Sequence, residues 1–163
     1  MPGRAGGGRY ARRVLTVAPG VVDLMVAHAL GGFPDEACGL IGGRLLPGSD
    51  ADGLPLATAE VLVPTRNVDA SSRTYTIGPD GFLAADRRLD PLGLAVVGVM
   101  HSHTHSEAWP SPTDVDKADN PLLEGWHYVI VSLRDPVPVV RSFLLDGRVV
   151  REEQVVEGSI PAT

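Results

Sequence analysis

Apolar positions along this chain come in short runs that switch between the two periods of regular structure, with Gly- and Pro-rich breaks between them. Residues 14 to 17 alternate and predict a first strand. Pro19 then opens a helix at its favoured first-turn position, and Gly31-Gly32 closes it. Val22, Met25, Val26 and Ala29 share one face of that helix. Cys38 to Ile41 reads as a strand, and Leu45 to Leu56, with Pro47, Gly48, Gly53 and Pro55, as a turn region between strands. Ala59 to Val63 resumes strand character until Pro64 ends it. A polar loop from Asn67 to Ser72 leads to a short alternating strand, Thr74 to Ile77. Gly78-Pro79-Asp80 opens a second helix running to about Leu89, stopped by Pro91 and Gly93. Leu94 to Met100 is an unbroken apolar run with the β-branched content of a buried strand. After a short helix beyond Ser111, Trp126 to Leu133 predicts another strand. Val137 to Leu145 and Arg148 to Val156 flank Asp146-Gly147, a hairpin signal because both positions tolerate positive φ. The order is β-α-β-β-β-α-β-α-β-β-β, an α/β domain with a mixed, curved sheet flanked by helices.

Length and composition narrow this picture. The 163 residues, 44% of them hydrophobic, suffice for one domain with its own core and leave no room for a second. A net charge of −6 argues against nucleic acid as a partner and provides no basic stripe for a membrane surface. No stretch approaches the roughly 20 apolar residues that span a bilayer. The single cysteine, Cys38, cannot close an internal disulfide, which suits a cytoplasmic protein. Residues 1–13 carry Arg4, Arg9, Arg12 and Arg13 among glycines, with no apolar signal core, and read as a disordered lead-in. The domain is expected over residues 14–155, followed by a frayed tail, 156–163.

Candidate chemistry is concentrated after the buried run, where three of the five histidines lie in His101-Ser102-His103-Thr104-His105. Side chains at i and i+2 of an extended chain project to one side, so His101 and His103 can converge while Ser102 faces away. Asp114 follows a Pro-rich bend, just inside the short helix, where its carboxylate can return to the same point. Two imidazoles and one carboxylate leave a tetrahedral zinc one position short, the pattern of a catalytic rather than a closed site. A triad of His101, His103 and His105 competes with this if the chain stays extended. Ser111, Pro112 and Asp114 also read as an ordinary helix start, with Ser at the N-cap and Pro at the first helical position. Glu36 stands out as an acidic residue leading directly into an apolar strand. Cys38 reads as a small buried residue, His127 as structural, and His28 as an exposed or capping residue at a helix C-terminus.

These residues resemble the JAMM (MPN+) metalloprotease family. The family pattern is His-Ser/Thr-His, seven residues, Ser, two residues and Asp, with a Glu far upstream. His101-Ser102-His103, Thr104 through Pro110, Ser111 and Asp114 match it without a gap. Glu36-Ala37-Cys38-Gly39-Leu40-Ile41-Gly42-Gly43 is similar to the family's Glu-x-Cys-Gly-Leu-x-x-Gly segment. The resemblance covers roughly residues 14 to 155 and implies a cytidine deaminase-like fold. It implies one zinc held by His101, His103 and Asp114, Glu36 as the acid/base and Ser111 at the oxyanion. Only eleven residues separate Asp114 from Trp126, too few for the insertion with which larger members grip ubiquitin. The resemblance is therefore to compact prokaryotic members, particularly small actinobacterial peptidases of cysteine biosynthesis. It implies as partner a ubiquitin-like sulfur-carrier protein ending in Gly-Gly, with cysteine released, and is compatible with a homodimer.

Four other readings compete. A metal-binding MPN interaction module is one, although a scaffold role like that of the MPN domains that have lost their metal ligands is disfavoured because every ligand position is filled; an isopeptidase removing a ubiquitin-like modifier from protein lysines shares the same site chemistry. A zinc deaminase needs Cys ligands in Pro-Cys-x-x-Cys spacing, which one cysteine cannot supply. A thiol hydrolase built on Cys38 would need a histidine beside the thiol. Were Glu36 not the base, Glu107 is the next candidate.

Overall fold

The computed structural model describes residues 13–49, 53 and 55–160. Residues 1–12 of the expected lead-in, 161–163 of the expected tail, and residues 50–52 and 54 of the expected turn region lie outside the described residues. Among the described residues, nine strands form one sheet: β1 (Val14–Val17), β2 (Cys38–Gly43), β3 (Leu45–Ser49), β4 (Pro55–Ala59), β5 (Val61–Thr65), β6 (Ala95–His103), β7 (His127–Ser132), β8 (Val139–Asp146) and β9 (Val149–Glu157). Their order across the sheet is β3-β4-β1-β9-β8-β7-β6-β2-β5. Among the described residues, three α-helices flank it: α1 (Val21–Gly32), α2 (Pro79–Leu89) and α3 (Pro112–Ala118). The sheet is mixed, since β1 runs parallel to β4 and β9 and β6 parallel to β7, while the remaining pairs are antiparallel.

Both faces of the sheet are covered. Val21, Met25 and Ala29 of α1 pack with Leu15, Val17, Ile41, Met100 and Val129 on one face. On the other, Leu40 and Val63 pack with Ala85 and Leu89 of α2, and Val99, Tyr128, Ile130 and the fully buried Phe143 pack around Tyr75. This two-sided burial explains why β2, β7 and most of β6 are apolar without strict alternation. In β6 the register to β2 shifts between Ile41 and Gly42, whose partners are Gly98 and Val96. Val97 is the extra residue of this bulge and joins the α1 face, whereas Val99 lies on the other face. From Val99 onward the alternation is regular, so His101 and His103 follow Val99 on one face and Met100 and Ser102 lie on the other.

Several elements differ from the pattern in the sequence. Helix α1 begins at Val21, because Gly20 at φ 85° takes the N-cap and Pro19 precedes it. The Pro/Gly region after Leu45 is itself the pair β3–β4, and β5 continues through Pro64 to Thr65. As the outermost strand, β5 tolerates a residue without an N–H. Thr74 to Ile77 is not a strand; it makes one isolated bridge, Asn67 to Ile77. Its backbone is held instead by the Asn67 amide, which donates to the Thr74 carbonyl (2.9 Å) and accepts from the Thr76 N–H (3.1 Å). At the C-terminal side β9 reaches Glu157, and the Gly158 N–H donates to the Val17 carbonyl at 3.0 Å.

Gly98 marks a close approach of two backbones below the histidines: a Cβ there would lie 2.2 Å from the His127 carbonyl oxygen. Gly98→Ala must separate β6 from β7 and is expected to destabilise the protein by about 3 kcal/mol in urea unfolding. Gly31→Ala, where an added Cβ meets nothing within 4 Å, should be neutral or stabilising by up to about 1 kcal/mol. Equal unfolding midpoints for the two variants would contradict this account of the strand contact.

Candidate metal centre

Two neighbouring strands and one helix cap build the site. On β6, His101 pairs across to Cys38 on β2 and to Ile130 on β7, so its backbone lies between those strands and its ring projects from the face that Tyr75 covers. After His103 the chain bends through residues 104–106 and returns at Ser111, the N-cap of α3. A reciprocal capping box forms there. The Asp114 N–H donates to Ser111 Oγ (3.1 Å) and the Ser111 N–H donates to Asp114 Oδ2 (2.8 Å). The cap aims the carboxylate back at the histidines, so that Asp114 Oδ2 lies 3.2 Å from Nε2 of both His101 and His103. The two Nε2 atoms are 3.1 Å apart.

This near-equilateral triangle suits one face of a tetrahedral metal ion. Zinc with bonds of about 2.0–2.1 Å has ligand–ligand edges of about 3.3 Å. The His103 tautomer agrees with that fit. His103 Nδ1 lies 2.7 Å from the Glu107 carbonyl, which can only accept, so the proton is on Nδ1 and the Nε2 lone pair faces the triangle. The His101 ring is fully buried and stacks on Tyr75 with centroids 4.3 Å apart. Burial pushes His101 towards its neutral form against the pull of Asp114. Burial also opposes charge on His103 and on Asp114. Hydrogen bonding to Asp114 and Glu107 nevertheless raises His103, and the imidazoles and the Ser111 N–H hold Asp114 well below the usual carboxylate range. Lone pairs directed at one buried point, with an ionised carboxylate among them, form a donor set matched to a divalent cation.

Glu36 borders this triangle. It is 5% exposed, and burial raises its carboxyl from the ordinary value to about 7, with His103 lowering it and Asp114 raising it by smaller amounts. Its backbone is held on both sides: the Glu36 N–H donates to the Ser71 carbonyl (2.8 Å), and the Asn67 amide donates to the Glu36 carbonyl (3.0 Å). Next to it, the Ala37 N–H donates to Ser102 Oγ (2.8 Å) and the Ser102 N–H donates to the Ala37 carbonyl (2.9 Å). A carboxyl that titrates near neutrality can both take and return a proton.

The structure thus brings His101, His103, Asp114, Glu36 and Ser111 into one place, and separates others that the sequence left open. His105 is exposed and meets Phe33 edge-on at 6.1 Å, because the bends after His103 end the extension that a three-histidine triad requires. Glu107 is exposed and serves the site through its carbonyl. Cys38 is fully buried and burial raises its thiol, while His28 reaches the Cys38 carbonyl (2.7 Å) rather than its sulfur. Three contributors are not apparent from residue type alone: Ser102, which faces away yet anchors Ala37; Asn67, which braces Glu36; and Tyr75, which backs His101. Ser102 sits inside the matched motif, so its position was a signal; Asn67 and Tyr75 reach the site only through long-range contacts.

A curled mixed sheet with a His-His-Asp triangle at the end of a central strand, and a buried glutamate beside it, defines a hydrolase of the JAB/MPN class. The chain belongs to the prokaryotic JAB-domain family: residues 18–146 match the family described as prokaryotic homologs of the JAB domain. It is 38% identical over 141 residues to the CysO-cysteine peptidase of Mycobacterium tuberculosis, covering 85% of this chain and 88% of that protein. It is 34% identical over 112 residues to a probable TtuB-protein conjugate cleaving protease of Thermus thermophilus, covering 68% of each. Its fold is similar to the solution structure of a Desulfitobacterium hafniense protein, with a TM-score of 0.73 and 33% identity, covering 90% of this chain and 94% of that one.

Ser102→Ala removes the acceptor of the buried Ala37 N–H, and should cost about 1–3 kcal/mol of unfolding free energy. Ser102→Thr keeps the oxygen and should recover part of that loss in the same denaturation measurement. An unchanged Ser102→Ala midpoint would mean that Glu36 is not positioned through this bond.

Proposed function

We propose that this chain is a zinc-dependent peptidase that hydrolyses the amide following the C-terminal Gly-Gly of a ubiquitin-like sulfur-carrier protein and releases cysteine. The observation that carries the reading is the triangle of two imidazole nitrogens and a carboxylate oxygen beside a buried Glu36. Support for the substrate class comes from the relatives, one named for cleaving CysO from cysteine and the other for cleaving TtuB-protein conjugates.

In this reading His101, His103 and Asp114 hold one zinc ion. When bound, the ion supplies Lewis acidity towards the scissile carbonyl and lowers the pKa of water to about 7. Glu36 accepts the proton of the attacking water and delivers it to the departing amine nitrogen, the two halves of one acid/base cycle. Ser111 uses its oxygen as the helix cap acceptor, which leaves its hydroxyl hydrogen to donate to the developing oxyanion. The Glu107 carbonyl and the Tyr75 ring fix the two imidazoles so that little reorganisation is required during reaction. Glycines suit the substrate because a chain without Cβ atoms approaches the site closely beside Trp109 and Pro110. An extended tail can add main-chain hydrogen bonds to the outer strand β5. The short connection from Asp114 to Trp126 favours a small leaving group over a folded protein. We assign the protein to the cytoplasm, which its lone buried cysteine suits; no helix among the described residues is long and apolar enough to cross a membrane. The relative that acts on protein conjugates favours a second reading, cleavage of a carrier from protein lysines.

Three measurements test this proposal. Purified protein should contain one zinc per chain by elemental analysis, and a His101→Ala/His103→Ala variant should lose it; full zinc in that variant places the metal elsewhere. Glu36→Gln should retain zinc but lose turnover by orders of magnitude, and Ser111→Ala should lose about 10²–10³ in rate. Cleavage is followed by mass spectrometry on a carrier ending in Gly-Gly-Cys, the same carrier ending in Ala-Ala-Cys, and a lysine-linked conjugate. Fast cleavage of the first alone is expected; equal cleavage of the first two, or of only the third, overturns the substrate assignment.

A further inference from the structure

Arg141 shares the face of the sheet on which the histidines stand. Pairing runs from His101 to Ile130 and from Ile130 to Arg141, across β6, β7 and β8, and residues paired in this way project to the same side. With neighbouring strands about 4.8 Å apart, Arg141 starts about 10 Å from His101. Its guanidinium carbon lies 5.4 Å from the ring centroid of Trp109 and 5.4 Å from that of Phe143. Trp109 belongs to the loop between His103 and Ser111, and meets the buried Phe143 edge-on at 5.2 Å. It is thus braced beside the site although 42% of its surface is exposed.

Glu152 accepts from Arg141 Nε at 2.8 Å and from Nη2 at 2.7 Å. That pair occupies the side-on edge of the guanidinium and fixes its plane, while the outer N–H groups of Nη1 and Nη2 make no hydrogen bond among the described residues and feel only the longer-range attraction of the Glu107 carboxylate. A planar fork with one edge pinned and the other open is suited to bidentate binding of a carboxylate. A half-exposed cross-strand ion pair alone would contribute little to stability and would not require the guanidinium to lie against Trp109. The two sides of the centre also differ. The Asn67–Ile77 segment and the outer strand β5 lie on the β2 side of His101, which suits an arriving peptide tail, whereas Arg141 lies on the β8 side, towards which the leaving group would depart.

We propose that Arg141, seated on Trp109 and oriented by Glu152, receives the free α-carboxylate of the residue released by cleavage, and so selects a single C-terminal amino acid as leaving group. This rests on the peptidase reading given above. The assay uses the zinc-loaded wild-type protein, Arg141→Gln and Arg141→Lys, with carriers ending in Gly-Gly-Cys as the free acid and as the carboxamide. Wild type should prefer the acid by about tenfold or more in kcat/KM, mostly through KM, as expected for charge-assisted hydrogen bonds. Arg141→Gln should bring the acid down to the level of the amide and leave the amide unchanged, with partial recovery in Arg141→Lys. Equal cleavage of acid and amide by wild type, or equal slowing of both in Arg141→Gln, overturns the proposal and leaves Arg141 a structural ion-pair partner. A calorimetric titration with acetyl-Gly-Cys and its amide separates this from failure of the peptidase reading. If no Gly-Gly carrier is cleaved, that reading fails, yet tighter binding of the acid to wild type than to Arg141→Gln still supports an Arg141 carboxylate site. Equal or absent binding of the acid overturns it.

Discussion

The antiparallel register between β2 and β6 is the constraint on which the site depends. Cys38 faces His101 and Gly39 faces Met100, so the segment entering β2 runs beside the end of β6. Glu36 therefore borders the imidazoles by strand pairing rather than by any contact of its own side chain. Ser102 extends the ladder further: its backbone N–H donates to the Ala37 carbonyl, and its side-chain Oγ accepts from the Ala37 N–H. A slip of one residue would send either the histidines or the glutamate to the opposite face. The bulge at Val97 lies on the other side of the paired run and reconciles two requirements: Val97 packs against α1, while the residues after Gly98 keep the phase that the site needs.

Burying four titratable groups together opposes folding, and the structure offsets this with bonds to fixed partners. Asp114 is held by the first turn of α3, where the helix dipole also favours negative charge. His103 is held by a carbonyl and His101 by an aromatic face. A second buried polar cluster has a purely structural geometry. His127 Nδ1 and Ser142 Oγ both lie within hydrogen-bond distance of Glu153 Oε1 (2.5 and 2.7 Å), and Arg13 Nε is 3.4 Å from Glu153 Oε2. This cluster ties β7, β8 and β9 to the residue preceding β1. It accounts for the structural role expected of His127 and for an acidic residue in the interior of a strand. At the β3 margin of the sheet, Pro47 interrupts the row of donors that an outer strand would otherwise offer to another chain.

Much of this was legible in the amino-acid order because it is local. The i, i+2 spacing of His101 and His103 on a strand decides that they share a face, whatever the rest of the chain does. Ser111-Pro112-Thr113-Asp114 specifies its own capping box through contacts three residues apart. The apolar runs identified β2, β6 and β7, and the Asp146-Gly147 turn identified the β8–β9 hairpin. Tertiary structure decided what depends on distant partners. Whether Asp114 or His105 completes the triangle followed from the bends after His103, which are stabilised by contacts such as the Ser132 hydroxyl donating to the Ser106 carbonyl. That Pro64 continues a strand depended on β5 lying at the margin, which no local pattern encodes. That Thr74 to Ile77 is a pinned loop rather than a strand depended on one Asn67 side chain replacing a neighbouring strand. Tyr75 behind His101 and Arg141 over Trp109 were invisible for the same reason: each meets its partner across more than twenty residues of sequence, a separation that side-chain periodicity cannot carry and only the packed sheet closes.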